Sequence, residues 1–182
     1  PFDPQLPGRA LVHGIGIAGA ALGRELVDRG WSVVVSDDQG NDEKRALAAS
    51  LGAELVVAPD RAGLQQLVEG VDVVCPAPGV PETHALFDIA LGDGVPIRTE
   101  IDLAYEWEQQ REGGPRPIIA VTGTDGKTTT TLLAAHLLNH AGVKAAAVGN
   151  TEIPLAAALR EPVDAFVVEC SSFRLHWICL LY

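Results

Sequence analysis

The stretch Ile118-Ile119-Ala120-Val121-Thr122-Gly123-Thr124-Asp125-Gly126-Lys127-Thr128-Thr129-Thr130-Thr131 reads as a strand that turns sharply into a helix. Ile118–Val121 is apolar and short, as a buried strand requires, and Gly123 and Gly126 supply a tight turn. Lys127 and a run of threonines then open an apolar-patterned segment from Leu132 to Leu138. Such a junction leaves unpaired backbone N–H groups aimed at one point, with the positive end of the helix behind them. Lys127 adds a mobile charge, and Thr128 a hydroxyl suited to a magnesium ion. The spacing departs from G-x-x-x-x-G-K: Val121 stands where the first glycine belongs, so the loop is two residues shorter. Glycines serving only the turn are the plain alternative. The charge and hydroxyl placed directly behind them favour a phosphate cradle made by Gly123, Thr124, Asp125, Gly126, Lys127, Thr128 and Thr129.

Upstream of this junction, short apolar runs alternate with helical patterns. Ala10–His13, Ser32–Ser36, Glu54–Ala58, Asp72–Cys75 and Val95–Arg98 read as strands. Helices are expected near Ala20–Arg29, Asp42–Leu51, Ala62–Glu69 and Thr83–Leu91. Leu22 and Leu26 lie one turn apart on one face, and Gly30 is placed to stop that helix. Alternation at this spacing predicts an α/β fold with a doubly wound parallel sheet. A last helix, roughly Thr99–Gln110, leads to Arg111–Pro117, a charged Gly/Pro stretch that reads as a linker.

Beyond the phosphate loop the pattern continues with a helix to about His140, a strand Lys144–Val148, a helix Pro154–Leu159 and a strand Ala165–Val168. The expected organisation is a Rossmann-like domain over residues 1–110, a linker over 111–117 and a second domain over 118–182. A three-stranded parallel sheet leaves an edge and a helix-packing face bare, so the chain is expected to be cut inside that second domain. The absent initial Met suggests a processed or partial sequence.

The totals narrow the partners. With 47% apolar and 20% charged residues, the composition is that of a soluble globular protein. A net charge of −11 provides no basic field for nucleic acid, so any nucleotide must be held locally by amides, Lys127 and a metal. No run of 18 apolar residues suggests membrane insertion, and Pro1–Gly8 lacks the marks of a secretory signal. Cys75, Cys170 and Cys179 show no metal spacing, and a reducing cytoplasm is the expected setting.

Gly14-Ile15-Gly16-Ile17-Ala18-Gly19 follows the first strand and opens the first helix, the context a dinucleotide fingerprint requires. Asp37, at the end of the second strand, is placed to accept hydrogen bonds from a ribose or a base. Phe166–Glu169 is an apolar strand ending in an acid downstream of a phosphate loop, where a carboxylate shares magnesium with the loop's Thr128. Asn150 follows a parallel strand and either faces a ligand crevice or caps the next helix. His136 and His140 are one turn apart without a third ligand and read as ordinary helix residues; His13 and His176 receive no role from spacing.

Three of these stretches together resemble a known family. Gly123–Thr129, Val148-Gly149-Asn150-Thr151 and Val168-Glu169-Cys170-Ser171-Ser172-Phe173-Arg174-Leu175 match, in order and interval, the Mur ligases and their folylpolyglutamate synthetase relatives. With the Gly14–Gly19 front, the chain looks most like the MurD branch, which joins D-glutamate to UDP-N-acetylmuramoyl-L-alanine. The resemblance implies an ATP-dependent, magnesium-requiring amide ligase of peptidoglycan precursor synthesis, cytoplasmic and monomeric when full length. It makes 118–182 the start of a central ATP-binding domain and Lys127 a catalytic residue, with Thr128 and Glu169 on the metal. It places Gly14, Gly16, Ile17, Ala18, Gly19, Asp37, Asp38, Gly79 and Asn150 against the UDP substrate. Ala77 stands where the family has Ser, Ala18 where it has Thr and Gln39 where it has Arg. A carbamylated lysine, a histidine and a third domain would follow, so these residues alone are expected to be inactive. Two other readings stay open: a nicotinamide-dependent dehydrogenase using Gly14–Gly19 and Asp37, and a UDP-sugar-binding module without catalysis.

Overall fold

A computed structural model describes residues 2–150 and 153–170 and divides into two compact units, Pro1–Glu100 and Ile101–Tyr182. Thr151, Ser171–Leu175, His176 and Cys179, singled out above, lie outside the described residues.

In the first unit the elements run β1 (Arg9–His13), α1 (Ile17–Asp28), β2 (Ser32–Asp37), α2 (Asp42–Ser50), β3 (Leu55–Val57), α3 (Arg61–Glu69), β4 (Val73–Pro76) and α4 (Ala85–Gly92). The four strands are parallel in the order β3-β2-β1-β4. β1 is central and its Ala10, Leu11 and Val12 are wholly buried, as a strand covered on both faces must be. Leu22 and Leu26 of α1 are buried as expected, and Gly30 ends the helix at φ +84°. Short polar side chains fix the next starts: Asn41 accepts the Lys44 amide and Asp60 the Gly63 amide.

Val95–Arg98 does not form a strand. It touches the sheet only through a bridge between Val74 and Ile97, because Pro96 has no N–H to extend the ladder. The order reverses direction on either side of β1, so the loops after β1, β2 and β4 converge at one end of the sheet.

The second unit takes in α5 (Glu100–Gln109), β5 (Ile118–Val121), α6 (Lys127–His140), β6 (Ala145–Gly149), α7 (Leu155–Ala158) and β7 (Ala165–Glu169). Its three parallel strands are ordered β5-β7-β6. The division falls ten residues before the 110/111 boundary expected from sequence, for a packing reason. Ile101 and Ala104 of α5 join Val148, Leu155, Phe166 and Val168 in one core.

Residues 111–117, expected as a linker, instead return the chain from α5 to β5 inside this unit. Arg116 is buried: its amide, Nε and Nη2 donate to the Glu108 carboxylate, and Nη1 and Nη2 also reach the carbonyls of Glu161 and Leu159. The guanidinium lies 4.4 Å from the Phe166 ring centroid. Leu132, Leu133 and Leu137 of α6 and Ile119 of β5 are exposed.

Candidate functional site

Each unit brings its candidate site residues to the carboxyl ends of its strands. In the first, a cavity of about 360 Å³ is lined by the turn after β1, the end of β2 and the segment after β4. Gly14, Gly16, Ile17, Ala18, Gly19, Asp37, Asp38 and Gly79 all line it. The glycines there have different reasons. Gly14 sits at φ +92°, and a Cβ on it would lie 2.7 Å from the Ala77 Cβ. A Cβ on Gly19 would lie 2.1 Å from the Gly14 carbonyl oxygen, so α1 approaches β1 only because Gly19 has none. Around Gly16 there is open space, and no side chain caps α1, leaving first-turn amides to face an anion.

Asp37 is placed differently from its expected role against ribose. Its oxygens accept from the Ile15 amide (2.9 Å), the Gln39 amide (2.9 Å) and Lys44 Nζ (2.6 Å), so it holds the loop rather than facing outward. Burial alone would raise its pKa, but the Lys44 and amide hydrogen bonds outweigh that and lower it. The exposed acid at this rim is Asp38, beside His13 and His84. Neither histidine nor Lys44 was marked by sequence spacing. The only sequence signal was His13's position at the end of the first strand.

In the second unit, Gly126 takes a left-handed conformation (φ 73°, ψ 5°) and caps α6 with no side-chain acceptor, so the first-turn amides are left for a ligand. Lys127 Nζ folds back to the carbonyls of Gly123 (2.9 Å) and Thr124 (3.0 Å), across the loop it would share with a phosphate. Gly123, Thr124, Asp125, Thr128 and Thr129 are exposed around it.

Glu169 ends the central strand β7, level with Val121 of β5 and Gly149 of β6. It is 2% exposed; Oε1 accepts from Asn150 Nδ2 at 3.3 Å, and Oε2 has no partner among the described residues. An orphaned carboxylate oxygen at the end of a strand beside a phosphate loop is the donor a hard cation takes, so the residues fit magnesium. Asn150, expected against the substrate, is instead tied to Glu169 by its side chain and by its amide, which donates to the Glu169 carbonyl at 3.0 Å.

Residues 121–178, which include the Gly123–Thr129 loop and Glu169, match the model of the Mur ligase middle domain. The chain belongs to the Mur ligase family. A UDP-N-acetylmuramoylalanine--D-glutamate ligase of Corynebacterium diphtheriae is 36% identical over 177 residues, 96% of this chain and 37% of that protein. A ligase of the same name from Syntrophus aciditrophicus is 37% identical, covering 93% of this chain and 37% of its own length. The chain thus spans a little over a third of these Mur ligases. Among solved structures, a UDP-N-acetylmuramate:L-alanyl-gamma-D-glutamyl-meso-diaminopimelate ligase from Neisseria meningitides shares the fold, with TM-score 0.54 and 20% identity over 90% of this chain and 52% of that one. No helix among the described residues is long and apolar enough to cross a membrane.

Proposed function

We propose that the protein this chain represents is an ATP-dependent ligase joining D-glutamate to UDP-N-acetylmuramoyl-L-alanine. The first unit would hold the uridine diphosphate on the amides of the Gly14–Gly19 turn. In the second, Lys127 and the amides of the Gly123–Thr129 loop would hold the ATP phosphates. Thr128 and Glu169 would hold magnesium, which supplies charge neutralisation when bound.

The reaction class is acyl activation. A substrate carboxylate oxygen attacks the γ-phosphorus and ADP leaves; the amine of D-glutamate then attacks the acyl carbon and phosphate leaves. Transfer between anions asks the protein for alignment and positive charge rather than a nucleophile. Lys127 offers that charge: its ammonium now satisfies two loop carbonyls, and an incoming phosphate would draw it outward.

The observation that carries the reading is the pairing of an uncapped helix start at Gly126 with a buried, half-orphaned Glu169 on the adjoining strand. A dehydrogenase would leave both without use, and the names of the relatives support the ligase. Titration with UDP-N-acetylmuramoyl-L-alanine and with NADH tests it. Binding of the UDP compound without NADH is expected; the reverse would overturn the proposal.

A further inference from the structure

The rim of the first cavity holds a cluster that the ligase reading leaves unused. His13 ends β1, Asp38 follows β2 and His84 precedes α4, so three separate elements bring two imidazoles to one carboxylate. Asp38 Oδ1 lies 3.3 Å from His84 Nε2 and 3.6 Å from His13 Nε2, and the two rings are 4.7 Å apart. The proton on His84 can be placed. The Leu86 amide donates to His84 Nδ1 at 3.2 Å, so a neutral His84 carries its proton on Nε2, the nitrogen beside Asp38. His13 Nδ1 meets the Ser36 hydroxyl at 2.8 Å; with that hydroxyl donating, His13 also presents Nε2–H. Burial, with His84 next in effect, lowers the His13 pKa to about 4 and keeps the ring neutral at pH 7.

Two histidines and an aspartate with ligand atoms within 4.8 Å of one another are also a set that a metal could use. The Leu86 bond argues against it, because the proton it forces onto His84 Nε2 occupies the lone pair a metal requires. Two imidazole nitrogens standing 3.3 Å and 3.6 Å from one carboxylate oxygen flank it as a clamp. Asp38 is 53% exposed and lines the cavity, so unclamped it would lose rotamer freedom on meeting a ligand.

We propose that His13 and His84 are positioning residues that hold Asp38 Oδ1, leaving Oδ2 to accept an N–H or O–H from the nucleoside end of the bound ligand. This rests on the reading of the cavity as a uridine diphosphate site. The clamp pre-organises the carboxylate and acts on affinity, not on chemistry.

Two substitutions separate it from the capping role of the same histidine. His84→Asn keeps an acceptor for the Leu86 amide but is too short to reach Asp38. His84→Gln reaches Asp38 with an amide N–H and releases Leu86. UDP is titrated calorimetrically into the 182-residue chain, with thermal unfolding followed in parallel. Asp38→Asn and His84→Asn are expected to weaken UDP each by about tenfold, and the double variant by no more than the larger single effect. His84→Asn keeps the wild-type Tm, whereas His84→Gln lowers Tm and retains UDP affinity within about twofold. Affinity that follows Tm, with His84→Gln weak and His84→Asn unchanged, overturns the clamp while the UDP site stands. A wild-type chain that binds no UDP overturns the site and the clamp together.

Discussion

Gly149 has a backbone φ of +105°, and a Cβ on it would lie 2.5 Å from the Glu169 carbonyl oxygen and 3.0 Å from its nitrogen. Those atoms belong to the β6–β7 ladder and cannot give way. Gly149→Ala is therefore expected to destabilise the second unit by about 2–4 kcal/mol in urea unfolding, whereas a cost under about 0.5 kcal/mol would show that the approach is looser. Lys127 is the opposite case: among the described residues its ammonium bonds only to carbonyls of its own exposed loop. Lys127→Ala should leave stability within about 0.5 kcal/mol and weaken ATP by at least about tenfold in calorimetry. His13 is buried with its pKa lowered from 6.5 to about 4, so between those values only the unfolded chain takes the proton. Stability at His13 is full above pH 6.5 and falls as pH drops toward 4, and NMR of the ring should show no titration above about pH 5. Lys127 and the glycines were legible because their chemistry is local. His13 was not, because its partners Asp38 and His84 come from other elements.

Between elements, the strand–helix alternation was legible throughout the first unit, since period and punctuation are local properties. α1 nonetheless begins at Ile17, three residues before the expected Ala20, because the glycine turn feeds the helix directly. Two errors have a shared cause. Which unit owns α5 depends on whose core receives Ile101 and Ala104, and no local pattern records that. Arg116 lies in a stretch whose composition suggests solvent, yet it joins α5 to the carbonyls of Leu159 and Glu161. Glu108→Gln, which leaves the buried guanidinium without its counter-charge, is expected to cost about 3–5 kcal/mol by urea unfolding. Burial raises the Glu108 pKa, but the Arg116 hydrogen bonds more than reverse this and lower it below 4.5. The contribution is thus complete above pH 4.5 and lost as pH falls through the lowered folded value. A stability profile for Glu108→Gln parallel to wild type through that acid range would contradict this assignment.

At the scale of the molecule, each unit gathers its candidate site residues at the carboxyl ends of parallel strands, and the resemblance read from three short stretches covers both. The site residues divided less neatly: Asp37 braces its loop and Asn150 belongs with Glu169, because hydrogen-bond partners are set by packing and not by order in the chain. The short glycine turn and Glu169 are proposed to hold ATP together with magnesium. Titrating ATP into wild type and Glu169→Gln, each with and without Mg2+, tests it most directly. Magnesium-dependent binding is expected in wild type and loss of that dependence in Glu169→Gln, whose stability is unchanged or raised because a buried carboxylate oxygen with no partner among the described residues is gone. Equal magnesium dependence in the two proteins would contradict it.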